Sequence, residues 1–212
     1  MNRRLRLTLM TVATIVLLAV LAFVVFSDPN QAPSSDAVQS GSFAGAVRPR
    51  TPPANFRLKD EEGRTVSVAD YRGKPVVVTF LYTSCENECP TIAQQIRGAL
   101  DELGSDVPVL AVSVDPKGDT PASARRFIAR QKMGSRMSFL LGTEKELQPV
   151  WRSFGVQPQS ADKEHSGTVV ILAPDGTQAV GFPVGELTPE GLADDLWRLG
   201  ARRSSAPGGA TS

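Results

Sequence analysis

The chain has 212 residues, with 23 Lys and Arg, 22 Asp and Glu and a single His, so its formal charge is +1. Apart from the three arginines among the first six residues, 20 basic side chains stand against 22 acidic ones. Nucleic-acid binding requires a basic face, and this composition excludes it. The two cysteines, Cys85 and Cys89, are close in sequence. A bridge between them would remove only about 2 kcal/mol of unfolded-chain entropy, which argues against a disulfide-stapled fold.

The first patterned segment is an apolar run near the N-terminus. Residues 7–26 contain no charge and 17 of these 20 residues are apolar, which matches the hydrocarbon core of a bilayer. Basic residues precede this run, and none follows it until Arg48. The positive-inside rule therefore predicts a cytoplasmic N-terminus over 1–6 and an exported remainder. We expect an uncleaved transmembrane anchor over 7–27. The alternative, a cleaved signal peptide, normally has a shorter apolar region.

Two segments have the composition of unfolded chain. Residues 28–55 are rich in Ser, Pro, Gly, Gln and Ala without hydrophobic periodicity, which predicts a flexible linker. Residues 200–212 predict a disordered tail in the same way. The remaining residues, 56–199, are numerous enough for one compact domain with its own core.

Strand patterns begin this domain and recur along it. Alternation of apolar and polar residues on either side of Gly63 predicts an opening hairpin. An Asp-Gly pair at 175–176 predicts a second hairpin, which leads into a short strand near Gln178–Phe182. Continuous β-branched and apolar runs predict three strands that are covered on both faces. They are Pro75–Leu81, Val107–Val114 and Thr168–Ala173.

Four helical patterns follow or separate these strands. We expect Pro90 to open the first helix at its first position, and Thr-Pro pairs at 120–121 and 188–189 to begin the second and the last. The third shows a stripe of apolar residues at helical spacing: Leu147, Val150, Trp151 and Phe154. The order β-α-β-α-β-β-α predicts an α/β sandwich of three layers. The cysteines then lie where the first central strand ends and its helix begins, where function concentrates in such sheets.

The spacing and neighbours of the cysteines bear on their chemistry. Thiol–disulfide enzymes typically have two residues between their cysteines and a depressed pKa at the first. Here three residues intervene, and two of them are Glu86 and Glu88, which we expect to raise the pKa of both thiols. Such neighbours disfavour a nucleophile but favour a bound cation, which itself drives thiols to deprotonate. The spacing of Cys85 and Cys89 therefore favours a metal site, and disulfide chemistry is the alternative.

The ligand inventory of the chain favours copper. Thiolates select Cu(I) or Zn, and structural zinc requires four Cys or His ligands, whereas this chain contains three. The third copper ligand would be His165, which directly precedes the central strand at 168–173. A lone His in such a position is often an ordinary surface residue, but in a sheet of this kind its loop lies over the cysteine-bearing helix start. The predicted ligands of Cu(I) or Cu(II) are therefore Cys85, Cys89 and His165.

Three ordered motifs resemble the Sco/SenC family of membrane-anchored, thioredoxin-like copper-binding proteins. They are "YTSCENECP", "VSVDPKGDTP" and "EHSGTVVILAPDG", which match the family's C-x-x-x-C-P, D-P-x-x-D-T-P and D-H-S patterns. Two departures occur: Glu164 replaces the usual Asp before the histidine, and Ala173 begins the segment that is usually D-P-x-G. The resemblance covers residues 56–199 and the anchor, and it implies a thioredoxin-like fold with an N-terminal hairpin. Asp115 of the second motif either orients groups near the site or forms a helix-leading turn.

The resemblance also implies a function, a location and partners. The implied function is a copper chaperone, rather than an enzyme, that delivers copper to the binuclear site of cytochrome c oxidase subunit II. Another periplasmic copper chaperone or a thioredoxin-like reductase is a further implied partner. The implied location is the inner membrane of a bacterium, with the domain on the extracytoplasmic side. The alternatives are a thiol–disulfide reductase that uses Cys85 and Cys89 as its redox pair and, less directly, a redox or copper sensor.

Overall fold

The computed structural model describes residues 43–48, 54–159 and 167–202. These residues form eight strands and four α-helices. The predicted strands and helices follow one another in the expected order, and two strands, Ala46–Val47 and Met137–Leu140, were not predicted. The strands are β1 (Ala46–Val47), β2 (Arg57–Lys59), β3 (Thr65–Ser67), β4 (Val76–Leu81), β5 (Val109–Ser113), β6 (Met137–Leu140), β7 (Thr168–Leu172) and β8 (Gln178–Pro183). The helices are α1 (Glu88–Leu103), α2 (Pro121–Arg130), α3 (Glu144–Phe154) and α4 (Pro189–Arg198).

Six of the strands form one sheet in the order β1-β8-β7-β4-β5-β6. Strands β4, β5 and β6 are parallel, while β7 runs antiparallel to both β4 and β8. Strands β2 and β3 form the predicted opening hairpin apart from this sheet, and Gly63 adopts a positive φ of 78° in its turn. Strand β4 therefore lies in the middle of the sheet, with the cysteine-bearing segment at its carboxyl end.

Side chains of β4 alternate between two hydrophobic cores, which explains its continuous apolar sequence. Val77 and Leu81 pack with α1, α2 and α4 on one face. Val78 and Phe80 pack with α3 and the hairpin on the other face. Burial on both faces is what an uninterrupted β-branched run predicts. The expected three-layer α/β sandwich is confirmed.

The start of α1 differs from the prediction. The helix begins at Glu88, so Pro90 is its third residue and not its first. The first four N–H groups of a helix have no intrahelical partner, and a proline at this position therefore removes no hydrogen bond. As a consequence, Cys89 lies in the first turn of the helix and Cys85 lies in the loop before it.

Residues 43–48 correct the predicted extent of the linker over 28–55. Strand β1 pairs with β8 at the edge of the sheet, with Ala46 opposite Gly181. The fully buried carboxylate of Asp195 accepts hydrogen bonds from the N–H groups of Ala44, at 2.8 Å, and Gly45, at 2.9 Å. These partners lie far away along the chain, so the local composition could not indicate them. The end of the predicted linker is thus part of the folded body.

The predicted tail over 200–212 also begins too early. Ala201 is buried, and its N–H donates to the carbonyl of Leu196. The predicted anchor at 7–27 lies outside the described residues. Among those that the structure describes, no helix combines the length and apolar character that a bilayer crossing requires.

Candidate metal centre

The two thiols are neighbours at the junction between β4 and α1. Both cysteines are free; Cys85 is half-buried and Cys89 is 2% exposed. The backbone N–H of Cys89 donates to Sγ of Cys85 over 3.1 Å. The N-cap residue of α1, Asn87, makes no side-chain capping bond. Sγ of Cys85 therefore accepts from one of the N–H groups that a helix start leaves without an intrahelical partner.

This arrangement shifts the pKa values of the two thiols in opposite directions. Hydrogen bonds from the Cys89 side chain, and then from its backbone N–H, lower the pKa of Cys85 to about 6, against the opposing effect of burial. The same thiol contact, together with burial, raises the pKa of Cys89, and the charge of Glu88 adds to this effect. The expectation that acidic neighbours raise both pKa values is therefore wrong for Cys85. The hydrogen bonds thus favour the thiolate form of Cys85, whereas the thiol contact and burial favour the protonated form of Cys89.

The loop before Cys85 is held by a half-buried carboxylate, that of Asp119. Asp119 accepts a hydrogen bond from the N–H of Thr83 over 2.7 Å and another from Oγ of Ser113 over 2.5 Å. Burial raises the pKa of Asp119. This side chain connects the end of β5 to the loop that carries Cys85. Sequence reasoning singled out Asp115 in this motif, but the contact with Thr83 spans 36 positions and has no local signature.

Asp115 itself lies in the turn that leads towards α2. Its carboxylate accepts a hydrogen bond from the N–H of Gly118 over 3.0 Å. Its own N–H donates to Ser113 over 3.2 Å. Of the two interpretations offered for Asp115, its contacts among the described residues support the turn role.

A cleft of about 450 Å³ opens beside Cys85. The guanidinium of Arg130 reaches across it to the carbonyl of Thr83, at 3.4 Å. The cleft makes Cys85 accessible from outside, whereas Cys89 is enclosed in the core beneath it. Its lining residues are Thr83, Ser84, Cys85, Glu86, Pro90, Arg130 and Gln131.

The third predicted ligand, His165, lies outside the described residues. Gly167 is described, and its N–H donates to Oε2 of Glu88 over 3.3 Å. Within the described ranges, no three His, Cys, Asp or Glu side chains come together as a metal-binding group. The structure therefore brings together two of the three predicted ligands, as an adjacent pair of sulfur atoms that suits a soft ion. Ligation by His165 stays a prediction.

The comparisons with known proteins identify the family. The family model SCO1/SenC matches residues 48–200. Over 135 residues the chain is 30% identical to the bovine "Protein SCO2 homolog, mitochondrial", a match that covers 58% of this chain. The chain spans about half, 50%, of the length of that relative.

Two solved structures extend the comparison to the fold. The structure of Bradyrhizobium japonicum ScoI with copper bound is 26% identical and has a TM-score of 0.55; the match covers 70% of this chain and 99% of ScoI. BsSco, described as a member of the Sco family of cytochrome c oxidase assembly proteins with a disulfide switch, is 22% identical with a TM-score of 0.62. That match covers 73% of this chain and 96% of BsSco. The chain thus belongs to the SCO1/SenC family and has its thioredoxin-like fold.

Proposed function

We propose that this protein is a copper chaperone that binds copper through Cys85, Cys89 and His165. It delivers the ion to the binuclear copper site of cytochrome c oxidase subunit II. The observation that carries the proposal is the adjacency of the two sulfur atoms at the start of α1, where the Cys89 N–H meets Cys85 Sγ at 3.1 Å. The copper bound to the related ScoI and the oxidase-assembly role of the family of BsSco support the same function.

The chemistry of the thiol pair suits the reversible binding of a copper ion. The hydrogen bonds that lower the pKa of Cys85 favour its thiolate form, and Cys85 lines the cleft, so it is the first sulfur that an incoming Cu(I) meets. Cys89 must release its proton when it becomes a ligand, because metal binding to thiols displaces protons. Two thiolates give a net charge of −1 with Cu(I) and zero with Cu(II). A client ligand can enter from the cleft and replace Cys85 first, so that transfer proceeds by ligand exchange.

The test is a competition titration on the reduced full-length protein, purified in detergent because of the apolar segment at 7–26. A Cu(I)-specific chelator competes with the wild type and with the His165→Ala, Cys85→Ser and Cys89→Ser variants. We expect one-to-one binding in the wild type, at least tenfold weaker binding without the imidazole, and loss of tight binding without either sulfur. Equal affinity of the wild type and His165→Ala would remove the histidine from the site. Failure of the wild type to bind copper would overturn the proposal.

The proposed location rests on the apolar segment at 7–26, and the proposed client rests on the resemblance to the family. We propose that residues 7–27 anchor the protein in the inner membrane and that the folded domain works on the outer side of that membrane. Protease added to intact spheroplasts should then digest the domain, whereas a cytoplasmic marker stays intact. The client is tested by incubating the copper-loaded protein with the soluble domain of oxidase subunit II. Appearance of the binuclear copper absorption only with the copper-loaded chain supports direct delivery.

A second candidate function is a thiol–disulfide reductase that keeps the cysteines of the oxidase copper site reduced. The observation that favours it is the asymmetry of the pair: an accessible thiol with a pKa of about 6 lies beside a buried thiol with a raised pKa. Such an arrangement suits attack by Cys85 and resolution by Cys89. Disulfide reduction that survives His165→Ala, together with weak copper binding, would favour the reductase over the chaperone.

A further inference from the structure

The two acidic residues between the cysteines differ in their contacts. Oε2 of Glu88 accepts a hydrogen bond from the N–H of Gly167 at 3.3 Å. Gly167 is buried, and a buried backbone N–H requires an acceptor. In the described part of the chain, the Glu88 carboxylate is that acceptor. Glu86 is exposed and lines the cleft beside Cys85, and within the same residues it makes no hydrogen bond to the start of β7.

Packing places Gly167 against the same face of α1. A Cβ atom at position 167 would overlap the side chains of Ile92 and Val184. Glu88 and Ile92 are four residues apart and therefore lie on one face of the helix. The backbone of Gly167 is thus held on the first turn of α1 both by a hydrogen bond and by close packing. These two observations are independent of each other.

We propose that Glu88 is a positioning residue whose carboxylate fixes the start of β7 against the helical turn that carries Cys89. Gly167 is two residues beyond His165 in sequence, so at most about 7 Å of extended chain separates their Cα atoms. An anchor at Gly167 therefore restricts where the imidazole can lie relative to the two sulfur atoms. This inference rests on the proposed copper site, because it assigns Glu88 the task of prearranging the third ligand.

Substitutions at Glu88 and Glu86 distinguish a positioning role of the Glu88 carboxylate from a simple effect of its negative charge. Glu88→Ala removes the acceptor and leaves the Gly167 N–H buried and unsatisfied, which is costly. Glu88→Gln loses the charge but keeps an acceptor oxygen. Glu86→Ala and Glu86→Gln remove a charge from the same inter-cysteine segment without touching Gly167. Because Glu88 is exposed at the helix start, none of these changes is expected to unfold the domain.

The first measurement needs no metal. Hydrogen exchange of the Gly167 amide is followed by NMR in the reduced, metal-free, full-length protein in detergent. We expect exchange to be at least about tenfold faster in Glu88→Ala, because the amide loses its acceptor. Exchange should stay within about threefold of the wild type in Glu88→Gln and in both Glu86 variants. Equal exchange in Glu88→Ala and Glu86→Ala overturns the proposal.

The second measurement uses copper as the probe. We expect Cu(I) affinity to be at least about tenfold lower in Glu88→Ala than in Glu86→Ala, while the two Gln variants agree within about threefold. The thiolate-to-Cu(II) charge-transfer band should change in Glu88→Ala and be restored in Glu88→Gln. Equal copper binding and spectra in Glu88→Ala and Glu86→Ala refute the positioning role. If the wild type binds no copper, the proposed function fails, and the amide exchange still decides whether Glu88 anchors Gly167.

Discussion

Asp119→Ala should weaken the fold through the loop that carries Cys85. In the wild type, this carboxylate accepts the Thr83 N–H at 2.7 Å and the Ser113 hydroxyl at 2.5 Å. Thr83 is 7% exposed and Ser113 is 0% exposed, so water cannot readily replace the lost acceptor. A buried donor without a partner costs about 1–3 kcal/mol. The two donors together therefore cost about 2–6 kcal/mol. Burial raises the pKa of Asp119, so removal of a carboxylate that is costly to bury offsets part of this loss, and we expect a net loss of about 2–4 kcal/mol.

Asp115→Ala is the matched control, since this carboxylate lies in the same motif but caps an exposed turn at Gly118. We expect it to cost under about 1 kcal/mol. Urea unfolding followed by tryptophan fluorescence measures both variants, with equal m-values as the check on two-state behaviour. Asp119→Asn keeps an acceptor oxygen for Thr83 and should fall between the two. Equal losses for Asp119→Ala and Asp115→Ala would refute the assignment of Asp119 as the support of the loop.

Two further predictions concern the thiol pair and the N-terminal edge strand. Cys89→Ala removes the hydrogen bond that contributes most to the low pKa of Cys85; the midpoint of its alkylation rate against pH should therefore rise from about 6, so that the rate at pH 7 falls. An unchanged midpoint would show that the thiol contact is not the cause. Asp195→Ala leaves two N–H groups at the entry to β1 without their acceptor, so chymotrypsin should cleave after the partly buried Phe43 at least about tenfold faster. Asp194→Ala, which alters a surface ion pair on the same helix, is the control, and equal cleavage of the two variants would contradict the role of Asp195.

Local sequence patterns were sufficient to predict the helices that bury one apolar stripe and the strands that are buried on both faces. The run at Val76–Leu81 contains six consecutive buried side chains, and continuous apolar character is the direct expression of that environment. At the start of α2, the Thr120 side chain accepts from the N–H of Ser123 with Pro121 at the first turn, which is the chemistry of the Thr-Pro signal. Because these causes act within a few residues, they can be identified without a structure.

Features that depend on distant partners could not be predicted in this way. Strand β1 has only two residues, both exposed, and its pairing partner near Gly181 lies more than 130 positions away. Strand β6 is a four-residue edge strand that, among the strands that the structure describes, pairs only with β5. A sequence of that length does not distinguish a strand from a turn.

The features of the candidate site also fall into two groups. Those that depend on nearby residues were predicted from the sequence, and those that depend on contacts formed by the fold were not. The adjacency of Cys85 and Cys89 follows from their spacing at a strand-to-helix junction, and the sequence predicted it. The pKa of Cys85 was predicted in the wrong direction, because the effect of neighbouring charges was considered without the hydrogen bonds to the sulfur. Those bonds depend on where α1 begins, and helix boundaries are the least certain part of a sequence-based assignment.

The start of α1 explains how one short loop serves both proposed kinds of chemistry. A helix N-terminus offers unpaired N–H groups and a favourable dipole for negative charge, and Sγ of Cys85 occupies that position in place of a capping side chain. A thiolate stabilised there keeps its sulfur beside Cys89 before any ion arrives, so binding costs little rearrangement. The same stabilisation makes Cys85 an accessible nucleophile towards disulfides. Sulfur geometry alone therefore does not separate a chaperone from a reductase, and the contribution of the imidazole at position 165 is the property that does.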